Sequence, residues 1–102
     1  MKKEFYTLVM KDNKKQAIKV NGYIIKTTTN LFGIYKNERN DFDIIDLNTG
    51  LSVNYLQYYK LKDFRNDIRL FDNKLDNFKK DFSESYNKYV NDFNKMIESK
   101  AN

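Results

Sequence analysis

The chain is predicted to be an α+β protein. It reads as a single domain over residues 1–102, with an N-terminal antiparallel β-meander of five to six short strands within 1–56 and a long C-terminal helix or helical hairpin over 60–100. Three observations predict this. Short apolar stretches in the first half alternate with a period of two and are separated by turn residues. From residue 60 the period changes to about 3.6. Phe64, Ile68, Phe71, Leu75, Phe78 and Phe82 step by alternating fours and threes, and Tyr86, Tyr89, Phe93 and Met96 resume the series after one four-residue offset. Finally, the chain has no Pro, and none of its three glycines falls after Gly50, so nothing breaks the helical stretch.

The strands follow in order. Residues 4–11 place Phe5, Thr7 and Val9 on one face and Tyr6, Leu8 and Met10 on the other, so both faces are apolar enough to be covered. Residues 12–15 supply a turn. Residues 16–20 form a second strand, and Asn21-Gly22 is the strongest hairpin signal in the chain, because a type I′ turn needs positive φ at both central positions. Residues 23–28, rich in β-branched side chains, form a third strand, and Asn30 marks a break. Residues 31–36 and 42–46 are the fourth and fifth strands, joined by a charged turn. Residues 47–50 make a hairpin loop with Gly50 suited to a left-handed position, and 51–55 close as a sixth strand.

The helical stretch raises a question of length. About 40 residues at about 1.5 Å each make a rod of about 60 Å, whereas strands of this size are only about 20 Å long. The sheet can cover a third to a half of the aromatic seam. Either the helix runs straight and pairs with a second copy as a homodimer, or it bends back near Asn73 or near Ser83-Glu84-Ser85. Phe at so many seam positions favours packing on a sheet over a two-stranded coiled coil, which prefers aliphatic residues.

Composition narrows the function classes. Aromatic residues make up 16% of the chain, which argues against disorder. The net charge of +5 is uneven: residues 1–40 carry nine cations against three anions, whereas the rest is nearly balanced. With no Cys and no His, disulfides, thiol chemistry and the commonest general base are all missing. Three scattered glycines, Gly22, Gly33 and Gly50, cannot make a phosphate-binding loop. The acidic group Asp41, Asp43 and Asp46 puts only two carboxylates on one face of a strand, too few for a hard-cation site. The expectation is therefore a non-enzyme with no cofactor, no metal and no membrane span. It reads as an intact intracellular product, with the cytoplasm of a bacterial host cell as the default compartment; heavy use of Lys, Asn, Ile, Tyr and Phe fits an AT-rich genome.

Two surfaces are candidates for binding. The first joins sheet to helix: Tyr55, Tyr58 and Tyr59, followed by Lys62, Arg65 and Arg69 at helical spacings of three and four. Tyr and Arg are the residue types most enriched at binding hot spots. The competing reading is an ordinary solvated helix face beside a tyrosine-filled corner of the core. The second is a basic, tyrosine-bearing sheet carrying Lys11, Lys14, Lys15, Lys19, Lys26 and Lys36, which could follow a DNA or RNA backbone. Lysines on edge strands also serve as ordinary protection against edge-to-edge aggregation.

Phe32-Gly33-Ile34-Tyr35-Lys36, a polar turn, residues 42–46 and then Asn48-Thr49-Gly50-Leu51-Ser52-Val53 form a pattern that resembles a hairpin of small proteins from phages and mobile elements of low-GC bacteria. The resemblance covers about a quarter of the chain and carries no site residues. It implies a small accessory protein that binds a host or phage component, anti-CRISPR inhibitors being one such class. The expected partner is then a host protein or ribonucleoprotein complex that processes nucleic acid.

Overall fold

The structure, a computed structural model, describes residues 2–53 and 61–101. It is an α+β fold: a four-stranded antiparallel sheet in the order β1-β2-β3-β4, followed by two helices. The strands are β1 (Lys3–Lys11), β2 (Lys14–Lys26), β3 (Leu31–Lys36) and β4 (Phe42–Asp46), and the helices are α1 (Leu61–Asp81) and α2 (Ser83–Ala101).

The strand number differs from the expected five to six for two reasons. Asn21-Gly22 does not turn. It lies inside β2, which runs unbroken for 13 residues. The β1–β2 turn falls within the expected residues 12–15, as the two-residue Asp12-Asn13, with φ of 54° and 63° and Lys11 opposite Lys14. Asp and Asn tolerate that left-handed region better than other side chains do. Gly22 serves a different need. β2 pairs with β1 as far as Gly22 and with β3 only from Tyr23 onward, so Gly22 is where the strand passes from one neighbour to the other. A methyl group there would lie 2.0 Å from the Ile34 carbonyl oxygen, so any side chain would force the backbone to shift. Secondly, the expected sixth strand is reduced among the described residues to one bridge, Ser52 opposite Ile45, flanked by hydrogen bonds from Val53 N to Ile44 O and from Asp46 N to Leu51 O. Residues 54 and 55 lie outside the described residues.

The sheet is covered on both sides near its middle. On one face Phe32, Ile34 and Ile44 meet Phe64, Phe71 and Leu75 of α1 and Tyr86 of α2 in the main core. On the opposite face the β1–β2 hairpin curls over, so that the Phe5 ring lies against Gly33 beside Leu47. A Cβ on Gly33 would be 2.6 Å from that ring. β1 is tied down at its outer edge by Gly50, whose carbonyl accepts from Leu8 N at 2.9 Å and from the Thr7 hydroxyl at 3.3 Å. Gly50 has the expected positive φ, 72°, and the Phe93 ring of α2 packs on it.

The helical stretch divides at Phe82, beside Ser83-Glu84-Ser85 and away from Asn73, which is exposed within α1. The molecule measures 37 × 32 × 26 Å, so the straight rod is not formed. The bend lets both halves of the seam use the same sheet. Phe64, Phe71, Leu75, Tyr86 and Phe93 are buried, while Phe82, at the bend, is left 58% exposed. α1 is also latched to the β2–β3 loop. Asp72 accepts from the Thr27 hydroxyl and the Asn30 amide, both at 2.8 Å, and Asp76 accepts from Thr29 and Asn30. Lys79 donates to the Thr29 carbonyl and to Asn30 Oδ1.

Candidate functional site

α1 has two chemically distinct sides. Its inner side presents the apolar seam, and the latch draws Asp72 and Asp76 toward the β2–β3 loop. Lys62, Arg65, Asn66, Arg69, Leu70 and Asn73 remain on the outside, all exposed, at steps of three, one, three, one and three. That spacing is one continuous stripe of a helix surface. It holds three cations and no anion, because the acidic residues that helix α1 contributes sit at its flanks or on the loop. Leu70, 48% exposed, supplies an apolar contact in the middle of the stripe. The structure thus brings Lys62, Arg65 and Arg69 together on one exposed face. The remaining members of this candidate group, Tyr55, Tyr58 and Tyr59, lie outside the described residues.

The six sheet lysines are all exposed but do not form one track. Side chains alternate across a strand, so Lys15 and Lys19 share the face with Tyr6 and Leu8, while Lys11 and Lys14 stand at the hairpin tip on the face with Val9. Lys26 lies at the far end of β2. Three of the six already stack on rings of this chain: Lys15 on Tyr89 and Lys19 on Tyr6, both at 5.6 Å, and Lys36 on Phe42 at 5.8 Å. Lys19 also lies 3.9 Å from Glu4.

The acidic residues of the fifth expected strand separate as the alternation requires. Asp43 accepts from Asn37 Nδ2 at 3.0 Å, and its charge, after burial, helps push the Tyr35 hydroxyl up to about 12. Asp46 points to the opposite face and is nearly fully buried. It accepts from Tyr86 Oη at 2.8 Å, from Thr49 Oγ1 at 3.1 Å and from Asn48 N at 3.2 Å. Burial, followed by that bond and the Asp46 charge, pushes the Tyr86 hydroxyl strongly upward. A cavity of about 200 Å³ adjoins this pair, lined by Leu51, Val53, Phe71, Lys74 and Phe78 among others. Sequence reasoning treated Tyr86 as one more seam aromatic. The available signal was the hydroxyl itself, which needs a partner once buried. Among the described residues no three potential metal ligands converge. No described helix is long and apolar enough to cross a membrane.

Comparison with known proteins finds no matching family model, no matching curated protein and no matching solved structure.

Proposed function

We propose that this chain is a non-enzymatic interaction protein that acts by binding a partner through the outer face of α1. The observation that carries the reading is the anion-free stripe of Lys62, Arg65 and Arg69 around exposed Leu70. Such a surface combines a partly apolar centre with charge-assisted donors that can fork onto carboxylates or phosphates. The partner class follows from the resemblance of residues 31–55 to accessory proteins of phages and mobile elements: a host complex that processes nucleic acid, such as a CRISPR effector, inhibited or modulated by occupation of a functional surface.

The test is inhibition of target-DNA cleavage by purified effectors, with the wild-type chain and the R65E/R69E double variant. The wild type is expected to inhibit and the double variant to lose at least about tenfold in potency, which corresponds to about 1.4 kcal/mol. Because both side chains are exposed, thermal unfolding should shift by no more than about 0.5 kcal/mol in stability. Equal potency in the double variant would remove α1 as the contact surface.

A second reading, direct binding of DNA or RNA by the sheet, rests on the exposure of Lys11, Lys14, Lys15, Lys19, Lys26 and Lys36. It predicts affinity that falls steeply with salt. Their division between two faces favours the first reading over it.

A further inference from the structure

The way β2 changes neighbours leaves a gap in the sheet. Residues 14–22 pair with β1, residues 23–26 pair with β3, and among the described residues no strand pairs with residues 14–21 on their second side. The direction of the unpaired groups follows from the register. Leu8 N points away from β2, to Gly50 O, so Leu8 and its partner Ala17 form a pair that does not exchange hydrogen bonds. By alternation Lys19 and Asn21 also direct N–H and C=O away from β1, into the gap. The same count gives Tyr23 and Ile25 the groups that reach β3, as the Tyr23–Ile34 and Ile25–Phe32 pairs require. Among the described residues nothing pairs the Lys19 or Asn21 backbone on that side.

At Asn21 the gap adjoins a cleft of about 640 Å³, within the range of ligand-binding clefts. Val9, Ile18 and Val20 line one wall, and Tyr35 with the β3–β4 turn through Arg39 forms the other. The charges that line it balance, Lys36 and Arg39 against Glu38 and Asp43, so any basic excess comes from its surroundings. Lys11 and Lys14 stand at the tip of the same sheet face.

We propose that this cleft binds an extended, acidic polypeptide segment of a partner protein by strand addition to β2. A row of N–H and C=O groups at strand spacing is matched only by another polypeptide backbone. Alternate side chains of the segment would rest on the aliphatic wall, and those between them would meet the basic rim. A single-stranded nucleic acid fits less well, because stacking needs exposed aromatic faces. The wall offers three aliphatic residues and one tyrosine that is half-buried beside Asp43. No residue lining this cleft belongs to the α1 stripe, so the two surfaces can be tested separately.

The probe is an end-blocked eight-residue peptide alternating valine and glutamate, followed by fluorescence anisotropy and by amide exchange of the intact chain. Binding is expected, with the Lys19 and Asn21 amides exchanging at least about tenfold more slowly. Two N-methylated versions, one blocked at the valines and one at the glutamates, separate strand pairing from adhesion. Residues of a strand direct their amides alternately to either side, so one version should lose about tenfold in affinity and the other should keep it. R39E, at an exposed turn position, should weaken the parent peptide roughly fivefold without changing the unfolding temperature. No saturation up to about 1 mM, equal binding of both methylated versions, or protection of the same amides by an oligothymidylate but not by the peptide would each overturn the proposal.

Discussion

The two halves of the sheet have the same antiparallel geometry and opposite fates. The β3–β4 half is closed. Helices cover one of its faces, the curled β1–β2 hairpin covers the other, and Phe32, Ile34 and Ile44 have no exposed surface. The β1–β2 half is open. Phe5 and Ala17 are buried, but Val9, Ile18 and Val20 are only half-buried, Met10 is 65% exposed, and among the described residues no strand pairs with residues 14–21 of β2 on their second side. The difference shows where stability and binding capacity lie. Apolar area removed from water holds the fold together, and that area is concentrated around β3 and β4. The other half keeps strand shape through hairpin pairing and leaves backbone and aliphatic surface available.

The largest expected effect tests that contrast directly. Phe32→Ala removes a fully buried ring that sits 5.8 Å from the Phe64 ring and should destabilise the chain by about 3–5 kcal/mol in urea unfolding. Val9→Ala, on the open half, should cost less than about 1.5 kcal/mol, since Val9 already meets water. Similar costs at the two positions would erase the distinction between the halves.

Gly22 is the joint between them, and the next prediction concerns it. Gly22→Ala forces a methyl against the Ile34 carbonyl and should cost about 1–3 kcal/mol, as overpacking does. Amide exchange should locate the damage, with Tyr23 and Ile25 exchanging faster and the amides between β1 and β2 little changed. This position also shows how far the sequence could be read. β3, β4, the loop at Gly50 and the seam of α1 and α2 were legible because each depends on local periodicity or a local φ requirement. Asn21-Gly22 was misread because the same dipeptide that suits a I′ turn also suits a close strand crossing, and the deciding neighbour, Ile34, is 12 residues away in sequence. The stripe Lys62, Arg65 and Arg69 was legible from spacing. The cleft was not, because it results from two strands diverging and no residue type signals that.

Tyr86→Phe sharpens the account of the closed half. It removes one of the donors to a nearly fully buried Asp46 while leaving Thr49 and the Asn48 amide in place. The expected cost is about 1–3 kcal/mol, read by urea unfolding at neutral pH. A cost near zero would mean that Asp46 is satisfied without the tyrosine.

The smallest effect is read in the alkaline range and compares one tyrosine from each half. Tyr35, on the cleft wall, has its hydroxyl raised from 10.0 to about 12, by burial first and then by the Asp43 charge. Tyr86 in the closed half is shifted in the same direction by burial and Asp46. A tyrosine that holds its proton more tightly when folded contributes stability that is fully present below pH 10. Above pH 10 the unfolded chain releases the proton while the folded chain keeps it, so stability falls as pH rises, for Tyr35 until about pH 12. The informative quantity is the difference between wild type and variant. Tyr35→Phe should lose stability less steeply than wild type between about pH 10 and pH 11.5. Tyr86→Phe should flatten the curve at least as much, since its hydroxyl donates to a carboxylate closed off from solvent, whereas Tyr35 borders an open cleft. Parallel curves for wild type and Tyr35→Phe would show that the cleft wall is as well solvated as free tyrosine, and the contrast between the halves would then extend to their electrostatics.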